Sequence, residues 1–118
     1  MFTAYLIVAI VTIVLNAGAA IADFVYAPFV LQNSAAVDVP RSWIVPLGLA
    51  KAAGAAGLIL GLFGVPYLGA AAAGGLVLFY IGAVVAHVRA RVYLNIVVPG
   101  GLLALAAAAL VLDLAQAR

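Results

Sequence analysis

The sequence has no cysteine, a single histidine, and only five basic and three acidic residues in 118. Without cysteine there are no disulfides, no thiol redox chemistry and no thiolate metal ligands. One histidine with no cysteine or glutamate to join it does not make a zinc site, and Asp23 is too little to complete one, so no metal is expected. The net charge of +2 includes no polybasic run, which removes the physical basis for nucleic-acid binding. Also missing are a serine or cysteine nucleophile with supporting residues, a phosphate loop and a dinucleotide fingerprint. No catalytic residue can be assigned, and no soluble domain is there to hold a large redox cofactor.

What the chain does contain is apolar: 70% of its residues are hydrophobic, a composition that belongs to membrane proteins. The apolar segments divide into four expected spans, 4–26, 43–62, 66–88 and 93–114, within one domain covering 1–118. Each is long enough to cross about 30 Å of hydrocarbon as a helix. They are too long, and too rich in Ala, Gly and Leu, to be strands. The expected fold class is all-α, a polytopic bundle of four transmembrane helices. The first segment lacks a basic flank and is followed by equally apolar ones, so it reads as a retained span and not a secretory signal. Between the spans lie a polar patch, 32-QNSAAVDVPRS-42, a tight break at 64-GVPYLG-69 and a basic turn, 87-HVRAR-91. Pro40 and Ser42 mark the start of the second helix.

Four crossings place both termini on one side. Arg41 precedes the second span, and Arg89 and Arg91 follow the third, so these connections share the other side. The positive-inside rule assigns them to the cytoplasm and both termini to the extracytoplasmic face, with Arg118 the one basic residue opposing that count. Tyr5 and Tyr67 are expected at the outer interface, and Tyr26, Trp43 and Tyr93 at the inner one. Tyr80 falls well inside the third span, where a packed tyrosine hydrogen-bonded to neighbouring backbone is the plain expectation.

Small residues supply the expected packing faces. On the second span Ala50, Gly54, Gly57, Gly61 and Gly64 recur at intervals of four and three, a narrow stripe that lets another helix approach closely. The third span offers Ala72, Gly75, Ala83 and Ala86. On the first, Asn16, Ala19, Ala20 and Asp23 share a face; on the fourth, Asn95, Pro99, Leu102, Ala106 and Asp113 do. Pro99 removes a backbone donor and is expected to bend its helix.

Lys51 is the anomaly, a cation within 48-GLAKAAGAAG-57. Its stem can snorkel about 5 Å toward the basic boundary, to the depth of Asp23, and pairing there relieves the penalty on both charges. His87 reaches the same layer as a weaker third member, and Asn16 lies deeper, at the floor. Asp23, Lys51, His87, Asn16 and Tyr80 are thus the candidate polar or ligand site, and a structural ion pair that fixes helix register is the competing account of it.

The stretches 16-NAGAAIADF-24, 39-VPRSWIVPLGLAKAAGAAGLILGL-62 and 76-LVLFYIGAVVAHVRARVY-93 resemble the DoxX-like family of small four-helix membrane proteins, especially its actinobacterial members. The resemblance covers nearly the whole chain. It implies a compact helical bundle in the bacterial cell membrane, in a family often associated with oxidative stress or membrane redox systems. Broader members resemble this chain with the charges exchanged, an acidic residue where Lys51 stands and a basic one near the end of the first helix, which favours an electrostatic link over an acid catalyst. One related name is a subunit of thiosulfate:quinone oxidoreductase, but a chain without cysteine has no evident site for that sulfur chemistry.

The leading expectation is an integral membrane accessory or lipid- or quinone-binding module, with an apolar interior and a polar mouth at Asp23, Lys51 and His87. Alternatives are a membrane enzyme that transfers protons on a lipophilic substrate or completes a redox reaction with a partner, and a small transporter. The expected partners are membrane lipids, with a second copy of the chain or a membrane redox protein as the protein partner.

Overall fold

A computed structural model describes residues 2–65, 67–93 and 96–115. Asn95 and Arg118, which figure in the expectations above, lie outside the described residues. The described residues form five α-helices: α1 (Phe2–Phe24), α2 (Pro28–Ala36), α3 (Ile44–Leu62), α4 (Leu68–Arg89) and α5 (Val97–Ala115), with a 3₁₀ turn at Arg41–Trp43 leading into α3. No strand occurs among the described residues. The four long helices are apolar enough to cross a membrane, and α2 is the short fifth. In cyclic order α1, α3, α4 and α5 pack each on the next, so α1 and α4 face each other across the bundle.

The bundle is turned inside out relative to a soluble one. Thr12, Asn16, Asp23, His87 and Asp113 are buried, while Ile7, Val14, Ile21, Leu78, Val85 and Val111 face outward. On α1 the buried residues are Tyr5, Ala9, Thr12, Asn16, Ala20 and Asp23, at intervals of three and four that put Thr12, Asn16 and Asp23 on its inner face. Apolar surface gains nothing by leaving lipid for protein, so association rests on close packing and interhelical hydrogen bonds. The centre is small and dense: Leu58, Ala73, Leu76, Tyr80, Ala106 and Ala109 form its core.

The tightest packing joins α3 to α4. A Cβ added at Gly57 would stand 2.6 Å from that of Ala72, and one at Gly61 would stand 2.6 Å from the Cα of Gly69. Gly54 is covered by Leu76. Two members of the small-residue stripe do something else. Ala50 is exposed although it lies on the same helix face as Gly57 and Gly61, because the close contact with α4 does not extend that far along α3. Gly64 lies beyond the helix at φ 96°, where its freedom to adopt a left-handed conformation ends α3. On α4 the covered residues are Gly69, Ala72, Ala73 and Leu76, and Gly75 points outward into open space.

One stop signal recurs. After α3, Gly64 N–H donates to Gly61 O at 3.1 Å and Val65 N–H to Leu60 O at 3.2 Å. The same pair follows α1 at Tyr26 and Ala27, α2 at Asp38 and Val39, and α4 at Arg91 and Val92. Each satisfies two terminal carbonyls through one left-handed residue, yet Tyr26, Asp38 and Arg91 are not glycine. Pro46 and Pro99 fall in the first turns of α3 and α5, where an amide proton has no helical acceptor. Pro99 therefore removes no helical hydrogen bond, and the expected reason for a bend disappears.

Candidate functional site

Asp23, in the last turn of α1, accepts a hydrogen bond from the Lys51 ammonium, Nζ to Oδ2, at 2.9 Å. Asp23 is 4% exposed, and the Lys51 side chain 18%. Gly48, one turn before Lys51, makes the approach feasible: a Cβ there would lie 2.9 Å from the Cβ of Asp23. The lysine stem leans toward the start of its helix, as side chains on α-helices do, which carries the ammonium to the end of α1. The Phe79 ring of α4 lies beside it, 5.7 Å from Nζ to the centroid, within range of a cation–π contact.

A second set of bonds ties α1 to α4 across the bundle. The Tyr80 hydroxyl donates to Oδ1 of Asn16, whose amide Nδ2 donates to Thr12 O at 2.8 Å. Thr12 Oγ1 in turn donates to Val8 O at 2.7 Å. Tyr80 thus bonds to a side chain on the opposite helix and not to neighbouring backbone. Both Asn16 and Tyr80 are buried, so this bond is made where water is not an alternative partner.

His87 does not join the ion pair. Its Nδ1 donates to Ala83 O, one turn back on α4, at 2.8 Å, and its Nε2 lies 3.3 Å from Oδ1 of Asn33 on α2. An imidazolium satisfies both oxygens; the neutral ring needs the Asn33 amide turned to present its nitrogen. Either way the histidine links the short α2 to the end of α4. Arg41 stacks on the Tyr26 ring, 4.7 Å from guanidinium carbon to centroid, while Arg89 and Arg91 are exposed. The basic residues Arg41, Arg89 and Arg91 therefore share one end of the bundle with the exposed aromatics Trp43 and Tyr93.

At the far end lies a grouping that sequence reasoning missed. Tyr5 is buried, and with Asp113 it converges on the first turn of α4. A Cβ at Gly69 would stand 3.1 Å from the Tyr5 hydroxyl and 3.5 Å from Asp113 Oδ1. The available signal was an aspartate inside an apolar helix, which seldom faces lipid.

Among the described residues an apolar recess lies elsewhere. It is a groove of about 390 Å³ between α1 and α5, lined by Leu15, Ala19, Val98, Gly101, Leu102 and Leu105. None of Asp23, Lys51 or His87 lines this groove. Among the described residues there is no group of histidines and acids able to hold a metal.

No curated protein and no solved structure matches the chain. A family model does, over residues 7–109, which takes in all the charged and polar contacts just described except Tyr5 and Asp113 at the far end. The chain, an integral membrane protein built on four apolar helices, belongs to the DoxX-like family.

Proposed function

We propose that the protein is a small membrane accessory module that holds the apolar tail of a lipid or a quinone in the α1–α5 groove. The observation that carries this reading is the groove itself: six apolar lining residues, a volume of about 390 Å³, and Gly101 with nothing within 4 Å of an added Cβ. That size suits a chain segment or an isoprenoid unit, and an apolar recess open to lipid fills with a tail and not with water. Val98 brings the groove to the first turn of α5, at the bundle end that carries Arg41, Arg89 and Arg91. A tail lying there leaves its polar head near the basic interface. With those arginines in the cytoplasm the termini face outward in the bacterial cell membrane. In this reading Asp23–Lys51 and Asn16–Tyr80 hold the helices in register so that the α1–α5 seam stays open. A second copy or a membrane redox protein is the partner to which a bound molecule would be presented.

Native mass spectrometry of protein released from nanodiscs of phosphatidylglycerol and phosphatidylcholine, with and without decylubiquinone, tests this. Wild-type protein is expected to retain a lipid or quinone mass, and the Ala19→Phe/Gly101→Leu protein to lose it while keeping its helical content. Equal retention by both proteins, or none by wild type, would reject the groove as the site.

A further inference from the structure

Lys51 has more hydrogen-bonding capacity than the bundle uses. An ammonium carries three donors, and Asp23 Oδ2 takes one. Among the described residues no second oxygen or nitrogen accepts from it; its remaining neighbour is the Phe79 ring. At 18% exposure the side chain is reachable from outside the protein. Lys51 stands seven residues beyond Ile44, about 10 Å along the helix, and its stem returns roughly half of that toward the helix start. The ammonium therefore lies near the depth at which acyl chains join their headgroups.

We infer that Lys51 is a hydrogen-bond donor site for the neutral carbonyl oxygen of a lipophilic molecule, a second contact distinct from the tail groove. Charge decides between acceptors. Lys51 and Asp23 cancel, so an added anion would be desolvated beside a carboxylate that already holds the cation. Arg41, the nearest arginine in sequence, is engaged on the Tyr26 ring and is not aimed at the pair. A carbonyl uses a spare N–H without adding charge. An acyl ester and a quinone both present such an oxygen on an apolar body, and the Phe79 ring beside the ammonium gives that body an apolar contact. The site shares no residue with the α1–α5 groove, so either can fail without the other.

The test uses the fact that Lys51 is the only lysine in the sequence. Lysine labelled with ¹⁵N at Nζ gives one ammonium signal in the full-length protein, and solid-state dephasing by ¹³C reports a carbonyl in contact. One sample holds ester phospholipids labelled at their carbonyls, without quinone; another holds ether-linked phospholipids, which have no carbonyl, with carbonyl-labelled decylubiquinone. Loss of Nζ signal intensity is expected in at least one. Loss in the first identifies an acyl ester, and loss in the second a quinone. An undiminished signal in both would overturn the inference, as would dephasing by headgroup ³¹P in place of carbonyl ¹³C.

Discussion

The α3–α4 seam and the α1–α5 seam use the same small residues to opposite ends. Between α3 and α4, Gly54, Gly57 and Gly61 are each covered, by Leu76, Ala72 and the backbone of Gly69. Between α1 and α5, Gly101 lines an open groove, and neither it nor Gly100 has an atom within 4 Å of an added Cβ. A glycine only lowers the wall of a helix; whether the gap is filled depends on what the neighbour sets against it. In lipid the difference is energetic, because packing contacts replace a hydrophobic drive that is not available there.

The largest effect that separates the seams is steric. Gly61→Leu drives a side chain into the Gly69 backbone, which cannot rotate away, and is expected to cost about 3 kcal/mol or more, or to prevent folding. Gly101→Leu, built into open space, should cost less than about 1 kcal/mol. Unfolding of both in detergent measures this, and equal losses would break the distinction. An intermediate effect concerns how α1 is held to α3. Asp23→Ala strands the Lys51 cation and should cost about 2–3 kcal/mol, whereas Asp23→Ala/Lys51→Ala should recover part of that loss. Strictly additive losses in the thermal stabilities of the two single variants and the double would mean the pair contributes no coupling. The smallest effect has the opposite sign. Gly75→Ala on the outer face of α4 should gain about 0.5–1 kcal/mol from helix propensity. A loss there, concentration-dependent in detergent, would show that a second copy covers this face.

The four long helices were legible because composition and segment length suffice to identify them in a membrane protein. Asn16, Asp23 and Lys51 were legible for a related reason: a polar side chain in an apolar span must turn inward or snorkel, and helical spacing indicates which neighbours share its face. α2 was not legible. It has nine residues and none of them buried, so no periodic face distinguishes it from a loop, and only Pro28 at its first position signals a start. The stripe was half legible. Spacing placed Gly54, Gly57 and Gly61 on one side of α3, but local periodicity cannot say where the partner helix stops, and so Ala50 and Gly64 were grouped with them. The Asn16–Tyr80 bond joins residues far apart in the chain and on helices that face each other across the bundle, which no single-helix pattern encodes. The burial of Tyr5 was not legible, because a tyrosine near a span end fits an interfacial belt as readily as a buried polar site.

The recurring stop signal bears on how the protein fits membranes of different thickness. A helix end usually resists being drawn into hydrocarbon because its last carbonyls would lose their water partners. Here two such carbonyls on each of α1, α3 and α4 are already bonded within the chain. α3, with 19 residues, is about 28 Å long, and α1, with 23, about 34 Å. A thick bilayer would overlap the Gly64 end of the shorter helix, where the internal bonds reduce the cost of hydrophobic mismatch. At the other end Tyr26, Asp38 and Arg91 hold the same geometry, but each is bulkier or more polar than glycine and draws its turn toward the headgroups. The bundle is therefore adjustable at the glycine end and anchored at the basic end, so a change in membrane thickness would be taken up on one side.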